Sequence, residues 1–145
     1  MDYRLTKVSK DLWMEVAKDA HLAVFRETLP PEFDRIDYAL LAVGKTSEGS
    51  DKEVPIAYMT LRELDAESVY MKHGGAFPTI KGTVVSMPCY VMMLNYLKEH
   101  YKRITTLVEN TNTVYLKMAL SAGFKVIGLR YFNKGILLEL FMGEE

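Results

Sequence analysis

The feature that most constrains the fold of this chain is the order in which its hydrophobic periodicity switches. Period-two stretches suit strands and period-3.6 stretches suit helices. A short alternating run, Tyr3 to Val8, comes first. Ser9 then stands as a cap before Leu12, Trp13, Val16, Ala17, Ala20 and Val24, which repeat at helical spacing. Pro30 and Pro31 stop that helix, because proline lacks the N–H and pushes the residue before it toward extended geometry. A short helical turn fits Glu32 to Arg35. Ile36 to Gly44 and Val54 to Glu63 read as strands joined by the polar loop KTSEGSDKE, and Ser68 to Phe77 reads as a third after a turn at Leu64 to Glu67. Three consecutive strands predict an antiparallel meander.

Pro78 closes the third of these strands, and a polar segment, Thr79 to Thr83, leads into Met87, Tyr90, Val91, Leu94, Leu97 and Tyr101 at helical spacing. Cys89, Met92 and Met93 make the first two turns apolar nearly all round, which predicts burial against a sheet. Pro88 sits in the first turn, where its missing N–H costs little. A strand, Arg103 to Glu109, follows. Next is a helix with Val114, Tyr115, Met118, Ala119 and Ala122 on one face and Gly123 as its stop. Phe124 to Phe132 and Ile136 to Met142 read as a closing hairpin through Asn133-Lys134-Gly135, residues that tolerate positive φ. One strand, a helix, three strands, a helix, a strand, a helix and a hairpin together imply a mixed α/β sheet with helices on both faces. The β-α-β passage is expected to cross over right-handed.

Composition narrows the classes of function. With 145 residues, 18 Lys plus Arg and 19 Asp plus Glu, the chain suits a single domain, 1–145, near neutrality. It has no dense basic block to hold a phosphate backbone, so nucleic acid is not expected as a partner. The first ten residues, MDYRLTKVSK, carry charges where a secretory peptide needs an apolar run, and no stretch reaches the roughly 18 apolar residues of a membrane span. The single cysteine, Cys89, cannot form an internal disulfide, which fits a reducing, cytoplasmic setting. His21, His73 and His100 are scattered without metal-ligand spacing, so no metal site is expected. Nine Met and nine Tyr are a surplus that composition leaves open between packing and ligand contact.

Three local anchors, set in this element order, carry a resemblance. They are Ala76-Phe77-Pro78, then Lys81-Gly82-Thr83-Val84-Val85-Ser86, then Asn112 followed eleven residues later by Gly123-Phe124. With them, nearly the whole chain resembles the GCN5-related N-acetyltransferase superfamily. The resemblance implies an acyl-CoA N-acyltransferase-like fold, a central, twisted, mostly antiparallel sheet of about seven strands. It also implies acetyl-CoA as co-substrate, with Ala76, Phe77, Lys81, Gly82, Thr83, Val84, Val85, Ser86 and Asn112 on the cofactor-binding side. In that family, backbone amides of a loop with Arg or Gln followed by small residues hold the pyrophosphate. Here Lys81 stands at the Arg or Gln position, and Val84 and Ser86 at the small ones. Val84 adds bulk and resists positive φ where glycine would let the ligand approach. Read without the resemblance, Gly82 supplies a turn, Asn112 caps a helix and Gly123 stops it.

The resemblance also implies a tyrosine four residues before the Gly of Gly-Phe to protonate the leaving thiolate, and that position is Ala119. Tyr115, one turn earlier on the same face, is the candidate substitute, against a reading as a core tyrosine. An attacking amine must lose a proton, and His73, Glu109 and, behind them, Glu63 are the candidate acceptors. His73 precedes Gly74-Gly75, a pair expected either to open the strand or to form a bulge where a thioester carbonyl docks. Cys89 among Met87, Tyr90, Met92 and Met93 reads as a buried inert thiol. The expected partner is a small-molecule or peptide amine, with a homodimer through the terminal hairpin edge also open. Two rival readings are a degenerate copy of the fold serving as a binding or assembly module, and an unrelated α/β domain whose strands fail to splay.

Overall fold

A computed structural model describes residues 3–15, 35–45, 54–76, 86–132 and 135–144. Seven strands form one sheet: β1 (Tyr3–Ser9), β2 (Tyr38–Gly44), β3 (Val54–Asp65), β4 (Ser68–Ala76), β5 (Arg103–Glu109), β6 (Lys125–Phe132) and β7 (Gly135–Gly143). The helices are α1, described over residues 10–15, α2 (Ser86–His100) and α3 (Thr113–Ala122). The strand order is β1-β2-β3-β4-β5-β7-β6. Every neighbouring pair is antiparallel except β4 and β5, which run parallel as the β-α-β passage requires. This is the sheet that the resemblance implies.

Alternation along the strands sorts side chains onto two faces. Leu40, Ala42, Met59 and Leu61 join one buried cluster with Val69, Met71, Ile104 and Leu140, and the inward residues of α2, Cys89, Tyr90, Met93, Leu94 and Leu97, close over it. Residues of opposite parity, Ala39 and Tyr58, join Val8, Ile36 and Trp13 of α1 in a second cluster on the other face. Each fully buried leucine of the larger cluster is worth about 1.5–3 kcal/mol of apolar transfer, so α2 is fastened chiefly by its inward row. Helices on both faces therefore follow from the two parities of the same strands.

Local signals set the element ends. The Leu12 N–H donates to Ser9 Oγ at 3.3 Å, the cap expected at the start of α1. Asn112 Oδ1 accepts from the Tyr115 N–H at the start of α3, and Gly123, at φ 112°, ends it in the left-handed conformation that glycine adopts without strain. The expected β5, Arg103 to Glu109, matches the observed bounds, and the others shift by one to two residues. Pro30, Pro31, residues 32–34 of the turn expected at Glu32 to Arg35, and Asn133 and Lys134 of the hairpin turn lie outside the described residues. No helix among the described residues is long and apolar enough to cross a membrane.

Candidate functional site

The site begins where the sheet comes apart. β4 and β5 pair over only four rungs, Ser68↔Arg103 to Met71↔Thr106. Beyond them β4 stays registered on β3 as far as Ala76, and β5 stays registered on β7 as far as Glu109. The two strands therefore form a fork, and among the described residues no strand fills the gap between its arms. The splay expected of this architecture is present.

Two features fix where the fork opens. The Thr106 hydroxyl, buried, donates to the Met71 carbonyl at 3.0 Å and so caps the last rung. On the next residue of β4 the ladder to β3 slips, because Leu61 faces Met71 while Thr60 faces His73, leaving Lys72 as the extra residue of a bulge. The Thr60 hydroxyl bridges the irregularity, accepting from the His73 N–H at 3.0 Å and donating to the His73 carbonyl at 3.3 Å. Of the two alternatives expected at Gly74-Gly75, the bulge is corrected by this register, since Gly74 and Gly75 face Met59 and Tyr58 in step, while the opening agrees with β4 having left β5 before them. Gly74 serves a close approach instead, since a Cβ there would lie 3.2 Å from the Tyr58 carbonyl oxygen.

The slip also changes faces. Without it His73 would share the face of Val69 and Met71; with it, His73 sits opposite Thr60, on the α1 side. Glu109 belongs to the same side, because Ile104 and Val108 of β5 face the larger core and the odd positions face away. Glu109 is exposed at the end of its arm, where its carbonyl accepts from the Asn112 N–H at 2.9 Å. The two candidate proton acceptors thus stand on separate arms and one face. Glu63 is elsewhere: it accepts from the Tyr101 hydroxyl at 2.7 Å at the closed end of the seam, and Tyr101 in turn meets the Tyr38 hydroxyl at 2.8 Å.

Tyr115 lies on the opposite face of the fork. Its hydroxyl is 3.3 Å from that of Tyr90 on α2, the rings meet edge-on at 5.6 Å and 70°, and the Thr106 hydroxyl lies against it. Burial holds the Tyr115 hydroxyl above the usual tyrosine range, with its contacts to the Tyr90 and Thr106 hydroxyls partly offsetting it. It is a protonated donor at neutral pH. Burial raises Tyr90 as well, reinforced by Tyr115. Ala119, one turn further along α3, is fully buried in the core. Tyr90 and Thr106 carried no signal in the sequence: one reads as a core position of an apolar helix, and the other is special only because the ladder ends there.

The remaining expected positions divide. Ala76 ends β4 opposite Ala57, and Ser86 begins α2. Phe77, Lys81, Gly82, Thr83, Val84 and Val85 lie outside the described residues. Asn112 is the cap of α3, the role its residue type alone suggests. Cys89 is buried and burial raises its thiol, which keeps it a neutral packing group. A groove of ≈ 670 Å³ is lined by Met87, Pro88, Val91, Met92 and Asn95. Met87 and Met92 also pack against the larger buried cluster, so the groove borders α2 near its start.

Solved structures with this architecture are many. An IAA acetyltransferase from Bacillus cereus superposes with a TM-score of 0.74 at 12% identity, covering 99% of this chain and 100% of its own. Arabidopsis thaliana NAA60 in complex with acetyl-CoA gives 0.73 at 12% identity over 99% and 100% of the two chains. The ribosomal-protein-S18-alanine N-acetyltransferase from Escherichia coli gives 0.72 at 10% over 98% and 94%. No protein-family profile and no curated protein matches the sequence. The chain has the fold of the GCN5-related N-acetyltransferase superfamily.

Proposed function

We propose that this protein is an N-acetyltransferase that transfers the acetyl group of acetyl-CoA directly to an amine. The observation that carries the reading is the fork: two parallel strands hydrogen-bonded for four rungs and then parted, each still held by its outer neighbour. The facing edges of β4 after Met71 and β5 after Thr106 bear backbone donors and acceptors without a strand partner among the described residues. An extended amide chain such as the pantetheine arm fits them, because it offers N–H and C=O groups in the same alternation. Solved relatives of this fold named as acetyltransferases, one of them holding acetyl-CoA, support the same assignment.

The two faces of the fork divide the proton traffic. The amine nitrogen attacks the thioester carbonyl, forming the C–N bond as the C–S bond breaks. The ammonium proton leaves toward His73 or Glu109 on the α1 side, directly or through water, and the sulfur gains a proton from Tyr115 on the α2 side. Because the His73 N–H is taken by the Thr60 hydroxyl, a backbone N–H further along the fork-facing edge of β4 would stabilise negative charge developing on the carbonyl oxygen. Most of the acceleration comes from holding amine and thioester together. Lys81, Gly82 and Ser86 would hold the pyrophosphate, with Val84 crowding it.

A titration of the full chain with acetyl-CoA tests the reading, with saturable heat and a raised melting temperature expected. Absence of both at millimolar acetyl-CoA sinks it. A second reading, a non-catalytic module of the same fold, is favoured by the buried Ala119 where the family carries its acid. The two separate on Tyr115→Phe. Loss of turnover by about 100-fold with cofactor binding intact marks the enzyme, whereas binding with no acetyl transfer to any of a broad set of amines marks the module.

A further inference from the structure

We propose that β6 is a self-association edge, through which two copies of this chain pair their sheets about a two-fold axis. Nine large hydrophobic residues are exposed among the described residues, and four of them are on this one strand: Val126 at 49%, Ile127 at 58%, Leu129 at 58% and Tyr131 at 85%. The other five are spread over α1, the end of β3, α2 and α3, singly or in a pair on one helix, as surface apolar residues normally are. β6 is also the last strand of the sheet, bonded to β7 on one side alone. Among the described residues no strand pairs with its outer main-chain edge.

The register shows that this row continues the core outward. Val126 faces Leu140, Leu129 faces Leu138 and Tyr131 faces Ile136. Leu140 is fully buried and Leu138 packs against the same cluster, so the apolar layer beneath α2 and α3 runs past its cover onto the edge strand. Edge strands are usually blunted by prolines, charges or bulges, and β6 has its bulge and its Lys125 at the start of the strand. β6 has no proline, and Val126, Leu129 and Tyr131 place no charge on that face. Ile127 is the extra residue of a bulge, which leaves the straight segment from Gly128 onward to pair. Arg130, on the opposite face, is held by Glu139 of its own hairpin at 2.5 Å, so a two-fold pair does not set bare guanidinium groups against each other.

A second copy is the occupant because an antiparallel strand pair is self-complementary under a two-fold axis. Its area is of the order required: the four residues expose about 500 Å² per copy, the size of the largest apolar patch of a typical monomer, which is often functional. Two copies thus bring together on the order of 1,000 Å², main chain included, the lower bound of stable interfaces.

Sedimentation velocity on the full chain, from low-micromolar to sub-millimolar concentration, tests this. The mass is expected to double with concentration. Leu129→Lys and, separately, Tyr131→Lys are expected to raise the dissociation constant at least about 30-fold. Val114→Lys, at a 77% exposed site on α3, is expected to leave it unchanged. Should either β6 variant lose its circular dichroism spectrum, hydrogen exchange on the unaltered chain decides instead, with amide protection over residues 128–132 rising with concentration. A chain that stays monomeric, including one whose edge serves a different protein, overturns the proposal. So does a dimer that both β6 variants leave intact, or protection that ignores concentration.

Discussion

The two ends of the β4–β5 seam are made from the same pair of strands and differ in almost everything else. At the closed end the Lys102 and Arg103 N–H groups both donate to the Glu67 carbonyl, at 2.8 and 3.0 Å, and Arg103 Nε donates to Ser68 Oγ at 2.9 Å. Lys102 and Arg103 also sit 3.6 and 3.3 Å from the Glu67 carboxylate. Tyr38, Tyr101 and Glu63 link β2, β3 and the connection after α2 beside them. At the open end, a hydroxyl caps one carbonyl, a bulge turns β4 aside, and the arms go separate ways. Strand propensity does not distinguish these ends. What does is whether the neighbouring turns supply partners, so an opening is made by withholding local bonds on one side of a rung and concentrating them on the other.

Substitutions break this contrast most strongly in the core. Ile104, buried under the closed rungs, should lose about 2–5 kcal/mol on change to Ala. Leu107, half-buried beyond the fork, should lose clearly less. Urea unfolding of the two variants compares them directly, and equal losses would show that the arms are as tightly packed as the seam. Thr106→Val removes the cap on Met71 while keeping its shape, and should cost about 1–3 kcal/mol by the same measurement. Thr105→Val, one position away on the other face, is the control and should cost less.

The closed end also predicts a pH response. Burial pushes the Tyr38 hydroxyl up to about 12, partly offset by its bond with Tyr101. The unfolded chain therefore releases that proton at lower pH than the folded one. Its contribution to stability is complete below about pH 10 and drains away as pH climbs toward 12. Melting temperature should fall across that window, and the fall should be shallower in Tyr38→Phe. The smallest effect belongs to Glu67→Ala, which removes two largely exposed ion pairs but keeps the carbonyl that both N–H groups use. Its cost should stay under about 1 kcal/mol and shrink with added salt.

Much of this architecture was legible because it is written in short-range terms. Arg103 to Glu109 alternates cleanly between turn signals, and Asn112 and Gly123 bracket a helix by capping chemistry alone. The bulge, one of the two alternatives open at Gly74-Gly75, lies at Lys72 for the opposite reason. Gly74-Gly75 carries the residue types of an irregular strand, but the slip at Lys72 arises from a threonine hydroxyl twelve or more residues away in the chain. Tyr90 and Thr106 were invisible as site residues for the same cause, since their meaning comes from where two distant strands stop pairing. Tyr115 could be singled out by its spacing from Ala119, whereas the neighbours that hold its hydroxyl belong to α2 and β5.

The four parallel rungs have a consequence for how the chain assembles. β1 to β4 are joined by successive antiparallel pairings, and β5 to β7 by another set, so each half can form from nearby sequence. The seam unites them across the whole span of α2, a non-local closure that must wait for both. Folding should therefore proceed as two cooperative units that dock late. In native-state hydrogen exchange, the amides of those rungs should report the free energy of undocking, below that of either half.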